Sequence, residues 1–322
     1  MNDGGYKPYE LPIGSAYADA MRTIVEKVTA AGAKIVVGSP GAVDTATFKV
    51  NNLAPTIYND NLAHLRDVAR DLAREYGQPF ADVHDDMILA MLRAKPALGD
   101  AYDVCGGDGF HPRPNGHIVM AYAFLKALGC DGQIGTITVD LSGQSTATDG
   151  HKILSSSGGK VEIESTRYPF CFFGDPKASQ ATRSILPFIP FNADLNRFVL
   201  VVKNLPTAAA TVTWGEAQQR FTREQLEAGI NLAAEFVDNP FSAPFAKLDE
   251  AVGRKQAYET SMIKEGITWF RNMRALLPDD PQASAAMDTL RSRFMERQAK
   301  LAAEVKAQLV PVRYTLEIRP EN

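Results

Sequence analysis

The sequence predicts an α/β domain followed by a small β-sandwich and a helical hairpin, and three observations over its 322 residues carry that fold class. Between residues 15 and 83, apolar positions at helical spacing alternate with short β-type runs. Between 132 and 238, turns rich in Gly, Ser and Thr separate short strand-like runs, and from 239 to 305 long helical stripes return. Three regions follow: 1–131, 132–238 and 239–322.

From Ser15 to Ala31 the stripe Tyr17, Met21, Ile24, Val25 and Val28 predicts a helix closed by Gly32, and Lys34 to Val37 a strand. An Asn-rich loop from Ser39 to Pro55 leads to a second helix. Its inward positions are Tyr58, Leu62, Leu65, Val68, Leu72 and Tyr76, and Gly77 ends it. Arg66, Asp67, Arg70, Asp71 and Arg74 form its solvated face, and His64 is a surface residue. Pro79 to Val83 predicts the next strand, so helix and strand alternate as in a parallel sheet. His84 ends that strand, where α/β folds place ligands. The simpler reading makes Asp85 or Asp86 the N-cap of a helix from Met87 to Arg93.

Beyond Gly129, strands are expected at Thr136 to Leu141, Lys160 to Ile163, Arg197 to Lys203 and Thr211 to Trp214. Tyr168, Phe170, Phe172 and Phe173 partly alternate, which fits a buried strand face better than a sugar-stacking platform. Leu248, Val252, Tyr258, Ile263, Ile267 and Phe270 mark one long helix, and Met287, Leu290, Phe294, Leu301 and Val305 another. Pro278-Asp279-Asp280-Pro281 is the turn of that hairpin, and Val312 to Ile318 a final strand.

Composition excludes several functions. With 45% hydrophobic and 22% charged residues, a net charge of -4 and a pI near 5.8, the chain offers no surface for a polyanion, so nucleic acid is not an expected partner. No run of 18 apolar residues occurs, so no membrane span is expected. Cys105, Cys130 and Cys171 are odd in number and lack C-x-x-C spacing, which indicates neither a zinc site nor a disulfide framework. Cys105, three residues before Asp108, reads as a small buried hydrophobe rather than a nucleophile.

The chemistry concentrates in GGDGFHPRPNGH, Gly106 to His117. Asp108 and His111 stand three apart in a Gly- and Pro-rich loop, so one tight turn brings the carboxylate to an imidazole nitrogen. That fixes the tautomer and leaves the other nitrogen a base. Pro112 and Pro114 stiffen the exit, and Asn115 is the expected N-cap of a helix through Ile118, Val119, Tyr122, Leu125 and Leu128. His117 could join Asp108 and His111 in a metal site, but a first-turn helical histidine needs no ligand.

D-G-F-H-P followed by N-G-H and a helix resembles the last block of the SGNH (GDSL-type) hydrolases, where the Asp and His complete a Ser-His-Asp triad. The opening Met1-Asn2-Asp3-Gly4-Gly5-Tyr6 resembles the second half of the family's G-x-N-D block, whose Asn serves the oxyanion hole. The resemblance implies a flavodoxin-like three-layer domain with a five-stranded parallel sheet, of which the sequence offers two strands. It implies an ester hydrolase in which His111 is the base, Asp108 orients it and Asn2 donates to the oxyanion. No cofactor is implied, and the substrate expected is an O-acetylated carbohydrate or another small ester.

The family's G-D-S segment, bearing the nucleophilic Ser, and a Gly-bearing loop are not found. Ser39, in Val36-Val37-Gly38-Ser39-Pro40-Gly41, is a turn residue on this reading, since Pro40 denies the N–H expected after a nucleophile. The expectation is therefore an N-terminally truncated hydrolase, inactive as it stands, whose full-length parent would be periplasmic or secreted. Its two-stranded sheet would expose an edge open to self-association. The region beyond about Val139 resembles the tails of SGNH proteins from environmental bacteria. The rival reading is a noncatalytic glycan- or protein-binding scaffold derived from the hydrolase fold.

Overall fold

The structure, a computed structural model, describes residues 2–321. It divides into two compact units, one made of 1–133 and 172–197, the other of 134–171 and 198–322. Both are mixed assemblies of helices and strands. Among the described residues no helix is long and apolar enough to cross a membrane.

The first unit is built from α1 (Leu11–Ala30), β1 (Val37–Gly38), α2 (Pro55–Glu75), β2 (Phe80–Ala81), α3 (Val83–Leu98), α4 (Pro114–Ala127) and the short α5 (Phe191–Leu195). β1 and β2 pair in parallel, Val37 opposite Phe80 and Gly38 opposite Ala81. Successive strand residues face opposite sides of a sheet, and here each side meets a helix layer. Val37 packs with Val25 of α1 and with Ala69 and Ala73 of α2. A side chain added to Gly38 would stand 2.7 Å from the Phe124 ring of α4. Two helix layers thus enclose a middle layer of two short strands.

Three local expectations are corrected. α3 begins at Val83, so His84 lies in its first turn rather than at a strand end. Its N-cap is Asp82, whose carboxylate accepts the Asp85 N–H at 3.0 Å, and Asp85 and Asp86 lie within the first turn. α4 starts with Pro114 at its first position and Arg113 as N-cap. Asn115 turns inward instead and donates to the Asp103 carbonyl at 2.7 Å. In both cases the residue nearer the sequence break takes the cap, and the next polar residue pairs within the fold.

The segment 172–197 belongs to this unit. The Tyr122 hydroxyl of α4 donates to Asp194 at 2.6 Å, Tyr102 and Ser184 share a hydrogen bond at 2.7 Å, and Phe172 meets the edge of Phe191 at 5.2 Å. The aromatics Tyr168, Phe170, Phe172 and Phe173 lie on irregular chain rather than a strand. They pack all the same: Tyr168 is edge-on to Phe241 at 5.3 Å.

The second unit holds β3 (Gln133–Asp140), β4 (Thr146–Ala147), β5 (His151–Ser157), β6 (Lys160–Ser165), β7 (Arg197–Lys203), β8 (Ala209–Trp214), β9 (Ala217–Thr222), α6 (Arg223–Ala228), β10 (Ile230–Asn231) and α7 (Leu232–Glu235). The hairpin α8 (Ser242–Ser261), α9 (Thr268–Leu276) and α10 (Pro281–Ala307) follows, then β11 (Val312–Glu321). One sheet runs β10-β7-β3-β4 and the other β5-β6-β11-β8-β9, so the last strand returns to the middle of the larger sheet. Their facing side chains form the core. Phe198 of β7 lies 5.7 Å from Trp214 of β8, and both are fully buried. A polar seam crosses that core: His151 meets Ser165 Oγ at 2.7 Å and the Ile134 carbonyl at 3.0 Å, and Ser165 meets the Tyr314 hydroxyl at 3.0 Å.

In the hairpin, a π-helical turn from Met262 to Ile267 joins α8 to α9. Gly266 sits where any side chain would come within 2.7 Å of the Phe294 ring, so α10 can approach the π turn closely. Asp280 caps α10 through the N–H groups of Gln282 and Ala283, both at 2.9 Å. Trp214 sits among Phe198, Phe236, Phe241 and Tyr314. Trp214→Ala is therefore expected to cost about 3–5 kcal/mol of stability, measured by urea unfolding.

Candidate active site

The loop between α3 and α4 is held by a buried ion pair. Asp44 is inaccessible to solvent and accepts Lys95 Nζ at 3.0 Å. The same carboxylate accepts the N–H groups of Ala46 at 2.9 Å, Thr47 at 3.2 Å and Val104 at 3.4 Å. Lys95 also donates to the carbonyls of Asp100 at 2.8 Å and Tyr102 at 3.2 Å. The stretch 44–48 in turn grips the Gly106–His111 loop. The Asp44 N–H donates to the Gly109 carbonyl at 2.8 Å, and the Thr47 hydroxyl to the Gly106 carbonyl at 3.0 Å. Sequence reading passed over Asp44, although an Asp followed by N–H donors two and three residues on is an Asx-turn pattern.

Two glycines are required by this geometry. Gly106 has φ +89°, and a Cβ there would come within 1.9 Å of the His111 carbonyl oxygen. Gly109 has φ +88°, and a Cβ there would fall 2.4 Å from the Phe48 Cα. Both conformations strain any L side chain, so the loop closes as tightly as it does only with glycine.

Within the loop, one Asp108 oxygen accepts the N–H groups of Phe110 at 3.2 Å and His111 at 3.0 Å, and the other meets His111 Nδ1 at 2.6 Å. The expected pair therefore forms, at charge-assisted hydrogen-bond distance. Desolvation works to raise the Asp108 carboxyl, but the bond from the His111 ring and the two backbone N–H donors outweigh it and hold the group down at about 2. The His111 side chain is 75% exposed, and Nδ1 is its one ring atom with a polar partner among the described residues.

Asn2 lies in a single 3-10 turn, Asn2–Gly4. Its side-chain carbonyl accepts the Tyr6 hydroxyl at 2.5 Å, so the amide N–H groups are the end it can offer to a ligand. Tyr6 stacks on Tyr58 at 5.3 Å and meets the edge of Phe110 at 5.8 Å, and Phe110 neighbours the His111 ring at 4.4 Å. One aromatic cluster thus ties the Asn2 turn to the Asp108–His111 loop, which stands more than a hundred residues away in sequence.

The other sequence candidates take structural positions. The Ser39 hydroxyl donates to the Pro40 carbonyl at 2.9 Å and accepts the His84 N–H at 3.0 Å, so it helps cap α3. Burial pushes the Cys105 thiol well above its ordinary range, and its sulfur rests against Met91. His84 is buried and bonds Asp85 at 3.0 Å and the Asn59 carbonyl at 3.2 Å, while Asp85 also pairs with Arg66. His117 is exposed on the first turn of α4, and no group of three His, Cys, Asp or Glu side chains converges among the described residues. His151 and Ser165 of the second unit make another Ser–His contact, but both are buried in the sandwich.

A cavity of about 470 Å³ is lined by Asp3 and by Pro112, the residue after His111, but by none of Asn2, Asp108 and His111. Apart from Asp3, Ser39 and Tyr17 its walls are apolar or glycine.

No protein-family model matches the chain, and no curated protein matches it. Among solved structures the chain is similar to that of BT4096, a gut microbial diltiazem-metabolizing enzyme, with a TM-score of 0.72 at 18% identity over 100% of this chain and 82% of that one. At that identity the two share a fold.

Two outcomes are expected of this loop. Asp44→Ala strands the Lys95 ammonium and should cost about 3–5 kcal/mol by urea unfolding. The Asp108 carboxyl, followed by carbon NMR, should titrate near pH 2 and rise in His111→Ala, where the two backbone N–H donors remain. Because its folded value is depressed, the stability it contributes is fully present above about pH 4 and is lost as the pH falls through 2.

Proposed function

We propose that the first unit carries the acid–base half of an SGNH-type ester hydrolase acting on O-acetylated carbohydrates or other small esters. The observation behind this reading is the 2.6 Å Asp108–His111 contact on an exposed loop, with Nε2 left to act as a base. The resemblance supplies the rest of the scheme. A serine hydroxyl attacks the ester carbonyl carbon as its proton passes to His111 Nε2. Asp108 steadies the imidazolium, and the Asn2 amide donates to the developing oxyanion. The imidazolium then protonates the leaving alkoxide. Water, deprotonated by the same nitrogen, attacks the acyl-enzyme, releases the acid and returns the proton to the serine.

Among the described residues no Ser, Thr or Cys hydrogen-bonds the His111 ring, and this favours a second reading, a noncatalytic glycan- or protein-binding scaffold. The similarity to a drug-metabolizing enzyme weighs toward catalysis and makes diltiazem a substrate worth including.

Hydrolysis of p-nitrophenyl acetate separates the two. The chain as given should match its His111→Ala variant at background rate. A chimera with a G-D-S segment joined ahead of Met1 should hydrolyse the ester. In that chimera His111→Ala should lower kcat about a thousandfold or more, and Asn2→Ala about a hundredfold. A chimera whose rate ignores His111→Ala ends the catalytic reading.

A further inference from the structure

We propose that the outer face of α9 joins two copies of this chain, α9 lying antiparallel against α9 across a two-fold axis. α9 is amphipathic, yet none of its residues is buried. Phe270 stacks on Phe294 at 5.9 Å and Arg274 pairs with Asp288 at 2.6 Å, so those two positions face α10. Trp269 and Met273 each stand one residue earlier, about 100° round the helix, and Leu276 continues their stripe by one turn. The π turn at Met262–Ile267 accounts for the rotation. It adds a residue to the helical repeat, so the side that Tyr258 presents to the Phe294 carbonyl is taken up by Phe270 and the Trp269 stripe is turned outward. Trp269 is 58%, Met273 44% and Leu276 80% exposed, and Ile263 and Leu277 are each about half exposed.

Area and charge both point to a second copy as the occupant. These five side chains expose on the order of 500 Å² of apolar surface, at the upper end of what a soluble monomer leaves open. Two such patches brought together remove on the order of 1,000 Å² from water, which a specific interface needs. Between 262 and 280 the charges balance in number but not in place: Lys264, Arg271 and Arg274 stand with Glu265 toward the start, and Asp279 and Asp280 close the end. A face positive at one end and negative at the other complements itself when turned by half a turn, whereas an anionic membrane would meet the acidic end as well as the basic one. An axis level with Asn272, midway along the stripe, brings Lys264 of one copy level with the Asp279–Asp280 turn of the other. Arg274 is engaged by Asp288, and Asp280 caps α10. Lys264 and Asp279 are exposed and have no ion pair among the described residues, so they remain for the partner.

Sedimentation equilibrium of the full chain over a micromolar concentration series should show monomer and dimer in exchange. Trp214, the other tryptophan, is fully buried, so iodide quenching reads Trp269 and should fall as the dimer forms. Leu276→Asp, at so exposed a position, should leave urea unfolding unchanged and weaken the dimer about tenfold or more. Lys264→Asp and Asp279→Lys each set like charges together and should each weaken it about tenfold at low salt. Mixed in equal amounts, these two variants should recover the dimer, because each then meets the opposite charge, a result that misfolding cannot imitate. A monomer throughout the series, a dimer indifferent to Leu276→Asp, or a mixture no stronger than either single variant would each overturn the inference. So would a monomer that cosediments with vesicles of phosphatidylserine and phosphatidylcholine unless Leu276 is replaced by Asp, which would give the face to a membrane.

Discussion

The Asp44–Lys95 pair is the interaction on which the rest of the first unit depends. A carboxylate with no solvent access is tolerable only when its lone pairs are filled, and here a lysine and three backbone N–H groups fill them. The consequence reaches well beyond local stability. Asp44 sits ahead of α2, Lys95 near the end of α3, and Asp100, Tyr102 and Val104 on the way into the Gly106–His111 loop. One buried pair thus joins three segments and fixes where the loop carrying His111 leaves the core.

With its base fixed, the loop can be exposed at its tip without being loose. Asp108 holds its own turn through two backbone N–H groups, so the same carboxylate that orients His111 also sets the backbone that presents it. The aromatic cluster of Tyr6, Phe48, Tyr58 and Phe110 then carries that order across to the Asn2 turn. Aromatic rings suit this task because they are broad and rigid and bury area with few rotatable bonds. The Asn2 carbonyl accepts the Gly5 N–H at 2.9 Å and its side chain accepts the Tyr6 hydroxyl, so the placement of the amide follows that of Tyr6 against Tyr58 and Phe110.

The second unit is organised differently. Its two sheets meet over Trp214 and Phe198, and its last strand closes the larger sheet between β6 and β8. That closure pairs residues near 160 and 210 with residues near 315, so the sheet is complete only when the helical hairpin has brought the chain back. His151, Ser165 and Tyr314 place a polar seam across the same region. Burial pulls the His151 imidazole below its ordinary range, which favours the neutral ring that can both donate and accept there.

Much of this was determined by the sequence alone. The helical stripes, the hairpin turn at Pro278–Pro281, the final strand and the Asp108–His111 contact follow from short-range rules, in which the partners lie within a few residues and geometry leaves few options. Tertiary structure decided what needs partners far apart. It made Asp82 rather than Asp85 the cap of α3, because Asp85 is drawn to Arg66 and His84. It turned Asn115 inward to Asp103, sent 172–197 back to the first unit, and set Tyr6 between Asn2 and Phe110. Asp44 shows the reason most plainly: nothing around it in sequence reveals that Lys95 and Val104 will come to meet it, since a buried charge is defined by what surrounds it in space.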